Sequence, residues 1–315
     1  MNLRFVTAEE VARFLPYEEC IPLMREAMIA LSTGRTHQTL RQIVDLPAGR
    51  AFGVMPGAIL DGGTFGAKLV SVYPDNFAKG KGSHQGIVAL FDPDSGAPSA
   101  ILEAGEITAI RTASASAAAT DALARPESRR LAILGYGEQA WRHVEALRRV
   151  RPIEEVRIWG RSFEKAQNFA ARVEGLGLAA SAEPDVEAAV AGADIICTVT
   201  AAAEPILNSF AVADGVHVNA VGSSRAGRAE IAEDLVARAR FFADHKEGVL
   251  SQGGEFIRAR EVGLIDDDHL LGEIGEVFAG SLAGRTGPGD VTLYKSLGSI
   301  VQDLASAEHI RSRLG

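Results

Sequence analysis

Residues 131–140 read LAILGYGEQA, a short apolar run that closes on Gly135, Gly137 and Ala140 and opens into EQAWRHVEALRRV, which has a helical pattern. A buried strand that turns through G-x-G-x-x-A into a helix is the first βα unit of a doubly wound sheet, and few other arrangements fit it. Gly135 permits the tight turn, Gly137 lets the backbone approach a pyrophosphate, and Ala140 allows close packing of helix on strand. The helix N-terminus adds partial positive charge. The competing reading is a Gly-rich connection in another α/β sheet. Against it, EVRIWG reads as a strand, SFEKAQNFAARVEG as a helix, and ADIICTVT and HVNAVG as further strands. Strands alternating with helices predict a parallel sheet with crossover connections. The fold class is therefore α/β, with a Rossmann-type dinucleotide-binding domain.

That domain does not use the whole chain. A length of 315 residues predicts about two domains. From about residue 40 to 102 the texture is LRQIVDL, AFGVMPG, FGAKLVSV and GIVALFDPDSG, short apolar runs parted by Gly, Pro and Asp, which predicts a largely antiparallel or mixed sheet with a hairpin at DPDSG. Ahead of it, Thr7 and Glu10 form a capping-box pattern, and a second helical run follows Pro22. The Ala-rich ITAIRTASASAAATDALA reads as a long helix linking the domains, and VTLYKSLGSIVQDLASAEHIRSRL as a helix returning to the first. The expected division is 1–120 with 291–315 as a smaller α+β domain and 121–290 as the Rossmann domain. No internal repeat or low-complexity tract is present.

Composition excludes several functions. Hydrophobic residues make up 47% and charged residues 23%, a globular balance rather than a disordered one. The net charge of −9 argues against a nucleic-acid surface, which needs many Lys and Arg contacts. Cys20 and Cys197 lack the spacing of a disulfide framework, which implies a reducing compartment. Seven histidines and two cysteines form no ligand-spaced group, so no metal is expected. With no basic leader and no apolar run of about 18 residues, the expected location is cytoplasmic, without membrane association.

Two places carry chemistry. An NAD-selective domain usually has an acidic residue at the end of its second strand; here stand Trp159-Gly160-Arg161-Ser162, with Lys165 a turn on. Arg161 and Ser162 suit the 2′-phosphate of NADP(H), unless Arg161 is merely solvated or stacks on the adenine, so NADP(H) is favoured and NAD(H) stays open. In the first domain Lys68 sits in an apolar strand expected to be mostly buried. It either pairs with a carboxylate of the protein or faces a cleft that takes an anion or a proton. Arg111, read as near the N-terminus of the Ala-rich helix, would hold a carboxylate with its fork and the helix dipole. Arg41 is a third cation. Each alone reads as an ordinary ion pair; together they would make a small-anion site.

These motifs converge on a resemblance. FGAKLVSVYP, SHQGIVALFDPDSG, ITAIRTASASAAAT, GYGEQA, DIICTVT, HVNAVGSSRAGRAEI and VTLYKSLG together resemble the ornithine cyclodeaminase and mu-crystallin family over nearly the whole length. The resemblance implies a homodimer, with a first domain that binds substrate and forms the dimer contact. It implies that Arg41, Lys68 and Arg111 grip a substrate α-carboxylate, Lys68 also moving a proton. It implies that Glu138, Gln139, Thr200 and Val221 to Ser224, Gly222 included, contact the cofactor. Cyclodeaminases of the family carry Asp where this chain has Ser224, and a neutral hydroxyl does not replace that charge. Ser224-Arg225 and the W-x-R-S pattern match the ketimine reductases instead. Arg225 either receives a second substrate carboxylate or pairs with Glu230.

The expected activity is NAD(P)H-dependent reduction of a small imino acid, cyclic or acyclic, to an L-amino acid. The alternatives are a lyase, either cyclodeamination of ornithine or dehydration of a hydroxyproline, and a non-catalytic binding role. His84 either lines a cleft or caps a strand, His217 reads as structural, and Asp266 to Asp268 read as a solvated turn.

Overall fold

The chain runs β1 (Arg4–Val6), α1 (Ala8–Phe14), α2 (Tyr17–Ser32), β2 (Thr36–Gln38), β3 (Gln42–Leu46), β4 (Arg50–Ile59), β5 (Thr64–Val72), β6 (His84–Phe91), β7 (Pro98–Glu103) and α3 (Ala104–Leu123). It continues through β8 (Arg130–Leu134), α4 (Glu138–Leu147), β9 (Glu155–Trp159), α5 (Phe163–Glu174), β10 (Ala179–Ala182), α6 (Val186–Val190), β11 (Ile195–Thr198) and β12 (His217–Ala220). The last part is α7 (Glu233–Arg238), β13 (Arg240–Ala243), α8 (Lys246–Gln252), α9 (Gly254–Glu261), β14 (Leu270–Glu273), α10 (Ile274–Phe278), β15 (Thr292–Lys295) and α11 (Ile300–Arg311). This computed structural model describes residues 3–79, 82 and 84–314; the side chains of residues 77–79 and of His84 lie outside the described set, and with them the reading of His84 as a cleft residue.

Two compact units result, residues 1–112 with 299–315 and residues 113–298. The divisions fall after Thr112, inside α3, and after Gly298, rather than at 120 and 290. The second shift has a clear cause. Thr292–Lys295 are not helical: all four are buried and form β15 between β12 and β13 in the second unit's sheet. The helix starts after Gly298, at φ +85°, and its N-cap Ser299 accepts a hydrogen bond from the Val301 N–H.

The first unit's sheet has the order β1-β7-β6-β5-β4-β2, with β3 also on β4, and every pair is antiparallel except β1 with β7. The β6–β7 hairpin closes on Asp92, whose carboxylate accepts from the Ser95 N–H and hydroxyl, while Gly96 takes φ +70°. Thr7 and Glu10 cap α1 reciprocally. The second helix begins at Tyr17, ahead of Pro22 rather than after it. Pro22 forfeits one N–H bond in α2, and the buried Cys20, Met24, Ala27, Met28 and Leu31 hold the helix continuous on both sides of it. Residues 300–307 of α11 are all buried. This helix packs on β4, β5 and β6, and it comes so close to β4 that a Cβ on Gly57 would lie 2.6 Å from Ile300 Cγ2.

The second unit's sheet has the order β10-β9-β8-β11-β12-β15-β13-β14 and every pair is parallel. The strand order reverses on either side of β8, which makes the crevice between the carboxyl ends of β8 and β11 the switch point where such sheets bind ligands.

Candidate functional site

In the first unit, strand alternation turns Lys68 and Val70 of β5 to the face that α11 covers, and both are buried. The rest of β5 is half-buried, so this strand is less enclosed than its apolar run implied. Lys68 Nζ donates to Asp303 Oδ1 at 2.9 Å and to Thr108 Oγ1 at 2.5 Å; the Thr108 hydroxyl in turn donates to the Ala104 carbonyl. Arg111 Nε donates to the same Asp303 oxygen at 3.1 Å, and Nη1 to Gln302 Oε1 at 2.8 Å. Arg111 is the eighth residue of α3, two turns in rather than at the start, so the dipole of that terminus does not act on it.

Lys68 therefore pairs with a protein carboxylate, one of the two outcomes its burial required. That pairing does not exhaust the positive charge. Two fully buried cations share one carboxylate oxygen, while Asp303 Oδ2 is buried without a hydrogen-bond partner. Half-buried Arg41 adds a third positive charge near Lys68. Burial is the main cause that pushes the Lys68 ammonium down to about 8; Asp303 opposes it, and Arg111 and Arg41 add to it. Burial alone would raise the Asp303 carboxyl, but Arg111 and Lys68 hold it below the ordinary value. The cluster carries more positive charge than it neutralises, and one proton of Lys68 Nζ and Arg111 Nη2 find no partner among the described residues. Surplus positive charge with spare N–H donors is the chemistry that suits a small anion.

In the second unit, β8 ends at Leu134 and Gly135 takes φ +132°, a conformation side chains rarely adopt. A Cβ there would also stand 3.0 Å from the Val199 carbonyl oxygen, at the end of β11. Gly137 is the N-cap of α4 without a side-chain cap, and its Cβ direction is open space. Ala140 is fully buried, Glu138 is exposed, and the Gln139 Oε1 atom is buried with no partner. An uncapped helix N-terminus, with its free backbone N–H donors, and an open glycine at one turn fit a dinucleotide pyrophosphate, whereas the Gln139 oxygen, an acceptor, calls for a donor.

Around that crevice, Arg161 is exposed, and Ser162 caps α5, its Oγ accepting from the Lys165 N–H. Gly160 is required by Tyr136, whose ring would lie 2.3 Å from a Cβ at that position. Val221 is buried and Ser224 half-buried. Thr200 donates from both its N–H and its hydroxyl to Glu230 Oε1, each at 2.6 Å, and Gly222 N donates to Glu230 Oε2 at 2.7 Å. Glu230 is thus fully buried and occupied with these groups, and it forms no ion pair with Arg225 among the described residues. His217 is structural: it is fully buried and shares a 2.9 Å hydrogen bond with Thr292 Oγ1. Asp266 caps a short turn and Asp267 pairs with Arg260.

The sequence reading missed Thr108, Gln302, Asp303 and the role of Glu230. Asp303 left a signal, a lone acid within the apolar IVQDLASA.

A model of the ornithine cyclodeaminase/mu-crystallin family matches residues 1–315, and the chain belongs to that family. It is 37% identical to the ketimine reductase mu-crystallin of Mus musculus over 96% of this chain and 95% of the relative. A solved Delta(1)-pyrroline-2-carboxylate reductase of Thermococcus litoralis, in complex with NADH and L-proline, aligns with TM-score 0.95 at 30% identity over 98% of this chain and 97% of that one. An archaeal alanine dehydrogenase dimer with bound NAD aligns with TM-score 0.93 at 29% identity over 99% of this chain and 96% of that one.

Proposed function

We propose that this member of the ornithine cyclodeaminase/mu-crystallin family is a nicotinamide-dependent reductase that converts a small imino acid to the corresponding L-amino acid. The observation that carries the reading is the imbalance at Asp303: Lys68 and Arg111 share one carboxylate oxygen, which leaves positive charge and N–H donors for a substrate carboxylate. The named activities of the mouse and Thermococcus relatives, on a ketimine and on pyrroline-2-carboxylate, fit that anion site.

Lys68, Arg111 and Arg41 hold the substrate carboxylate and so fix the orientation of the adjoining C=N bond. Lys68, with its proton affinity brought down to about 8, holds a proton at neutral pH and releases it readily, which suits protonation of the imine nitrogen. Gly135, Gly137 and the N-terminus of α4 hold the dinucleotide pyrophosphate, with Glu138, Gln139, Ala140, Thr200, Val221 and Gly222 around it. When bound, a reduced nicotinamide supplies hydride for the imine carbon. Ser224 offers no charge to a distal substrate ammonium, which favours reduction over cyclodeamination.

For the dinucleotide, NADP(H) is preferred. No acid stands at 159–162, Gly160 has no room for one beside Tyr136, and exposed Arg161 is available to a 2′-phosphate. The active form is a homodimer. Ile43, Val44 and Phe52 on the β3–β4 hairpin are exposed apolar groups suited to a second copy, and the archaeal relative is a dimer. The test is absorbance of NADPH and NADH in parallel against cyclic and acyclic imino acids, with ornithine apart. Oxidation with an imino acid, faster for NADPH, is the expected result. Ammonia from ornithine without cofactor oxidation would replace the reductase by a lyase.

A further inference from the structure

In the second unit the buried Glu230 belongs to a network with two further fully buried charges, Lys295 and Glu255. Lys295, at the end of β15, pairs with Glu255 Oε2 at 2.8 Å and donates to the Ser223 carbonyl. Glu255 Oε1 accepts from the Glu230 N–H at 3.1 Å. The Glu230 carboxylate then accepts four hydrogen bonds: Thr200 N and Oγ1 on one oxygen, Thr198 Oγ1 at 2.8 Å and Gly222 N at 2.7 Å on the other. Burial works to raise the Glu230 carboxyl, while Thr200, Lys295 and Thr198 favour its charged form.

The position of this network matters. Thr198 ends β11 and Gly222 follows β12, so one carboxylate joins the carboxyl ends of two neighbouring strands. Val199, between two of the tied residues, is the group that a Cβ on Gly135 would strike. Gly222 has no room for a side chain either: a Cβ would lie 2.2 Å from the Thr200 carbonyl and 2.6 Å from Glu230 Oε1. The network therefore sets the wall opposite the Gly-rich turn, in the crevice where parallel sheets take dinucleotides.

We propose that Glu230 is a positioning residue for dinucleotide binding, its buried carboxylate tying the ends of β11 and β12 into the wall that faces the Gly135–Gly137 turn. The proposal rests on the dinucleotide reading above. Glutamine at this position retains one acceptor oxygen and turns an NH2 towards two donors, one of which is a backbone N–H that cannot rotate away. The tie on one strand end is lost while the charge of Lys295 stays with Glu255.

The experiment is fluorescence titration of the full-length chain with NADPH and NADH, for the parent protein and for Glu230→Gln, with thermal unfolding recorded alongside. The dissociation constant is expected to rise at least about tenfold in Glu230→Gln, with the imino-acid KM at saturating dinucleotide unchanged. Thr198→Val removes a single donor at a buried, isosteric site, and is expected to raise the constant about threefold in a chain that folds like the parent. A folded Glu230→Gln with parent-like affinity overturns the proposal. If Glu230→Gln does not fold, parent-like affinity in Thr198→Val overturns it. A parent protein that binds neither dinucleotide overturns the cofactor reading itself, which separates the two failures.

Discussion

Asp303 and Lys68 stand 235 residues apart in the sequence and share a 2.9 Å hydrogen bond at a place where neither side chain is more than 3% exposed. The C-terminal helix thus completes the first unit's chemistry: without α11, Lys68 would face the sheet's covered side with no counter-charge. Because Arg111 draws on the same oxygen, Asp303 steadies two cations without neutralising both, and under the proposed function the residual charge is left for a substrate carboxylate.

Lys68 is expected to dominate turnover. Lys68→Met keeps the stem and removes the ammonium. It should lower kcat/KM by at least about 100-fold while leaving the dinucleotide dissociation constant within about twofold of the parent value. Parent-level turnover in that variant would remove Lys68 from the mechanism.

The pH profile follows from the same group. In the proposed mechanism the ammonium form holds the carboxylate and carries the proton, and that form is lost as pH rises through about 8. The rate kcat/KM should therefore be level below that pH and fall about tenfold per unit above it. Asp303 opposes the downward shift of Lys68, so Asp303→Asn moves the fall to lower pH. It also costs about 3–5 kcal/mol of stability, since it leaves buried cations unpaired. Rate profiles of the two proteins read both effects; an unmoved limb in Asp303→Asn contradicts the assignment.

The two turn glycines should separate cleanly. Gly135→Ala places a side chain at φ +132° against the Val199 carbonyl and should destabilise the fold by about 2 kcal/mol. Gly137→Ala meets open space at φ −88° and should leave the unfolding midpoint unchanged while weakening dinucleotide binding at least about tenfold. Denaturant melts and cofactor titrations of both variants check this; unaffected binding in Gly137→Ala would place the pyrophosphate elsewhere.

The Gly135–Ala140 turn was legible because its signal is local: glycine spacing, a preceding buried strand and a following helix lie within a few residues of one another. Lys68 was legible for a similar reason, as a charge in an apolar run. What it pairs with was not, because Asp303 reaches it through tertiary packing alone, and the same holds for Glu230, whose four donors come from two strand ends. The four-residue β15 was misread as helix since Thr292–Lys295 is too short to show a period of two, and its strand character comes from burial between β12 and β13. The start of α3 at Ala104, which leaves Arg111 two turns inside, was hidden by helix-forming residues on both sides of the boundary.

Acid should destabilise the second unit through two histidines. His143 bonds Ser116 and the Gln139 carbonyl, His217 bonds Thr292, and burial pushes them down from 6.5 to about 4 and about 3. Below about 6.5 the unfolded chain takes up protons that the folded chain refuses. The stability they contribute is therefore complete above that pH and is lost as pH falls towards about 4 for His143 and about 3 for His217. Each histidine contributes up to about 1.4 kcal/mol per pH unit across that window. Urea midpoints at pH 7 and 5 should differ less in His143→Gln and His217→Asn than in the parent protein.

The most direct measurement is the fate of the hydride. Reduction of an imino acid with dinucleotide deuterated at the transferable C4 position, followed by mass spectrometry of the amino acid, should show one deuterium at the α-carbon for each dinucleotide oxidised. An unlabelled amino acid, or product formed without net oxidation of the dinucleotide, would contradict the reductase.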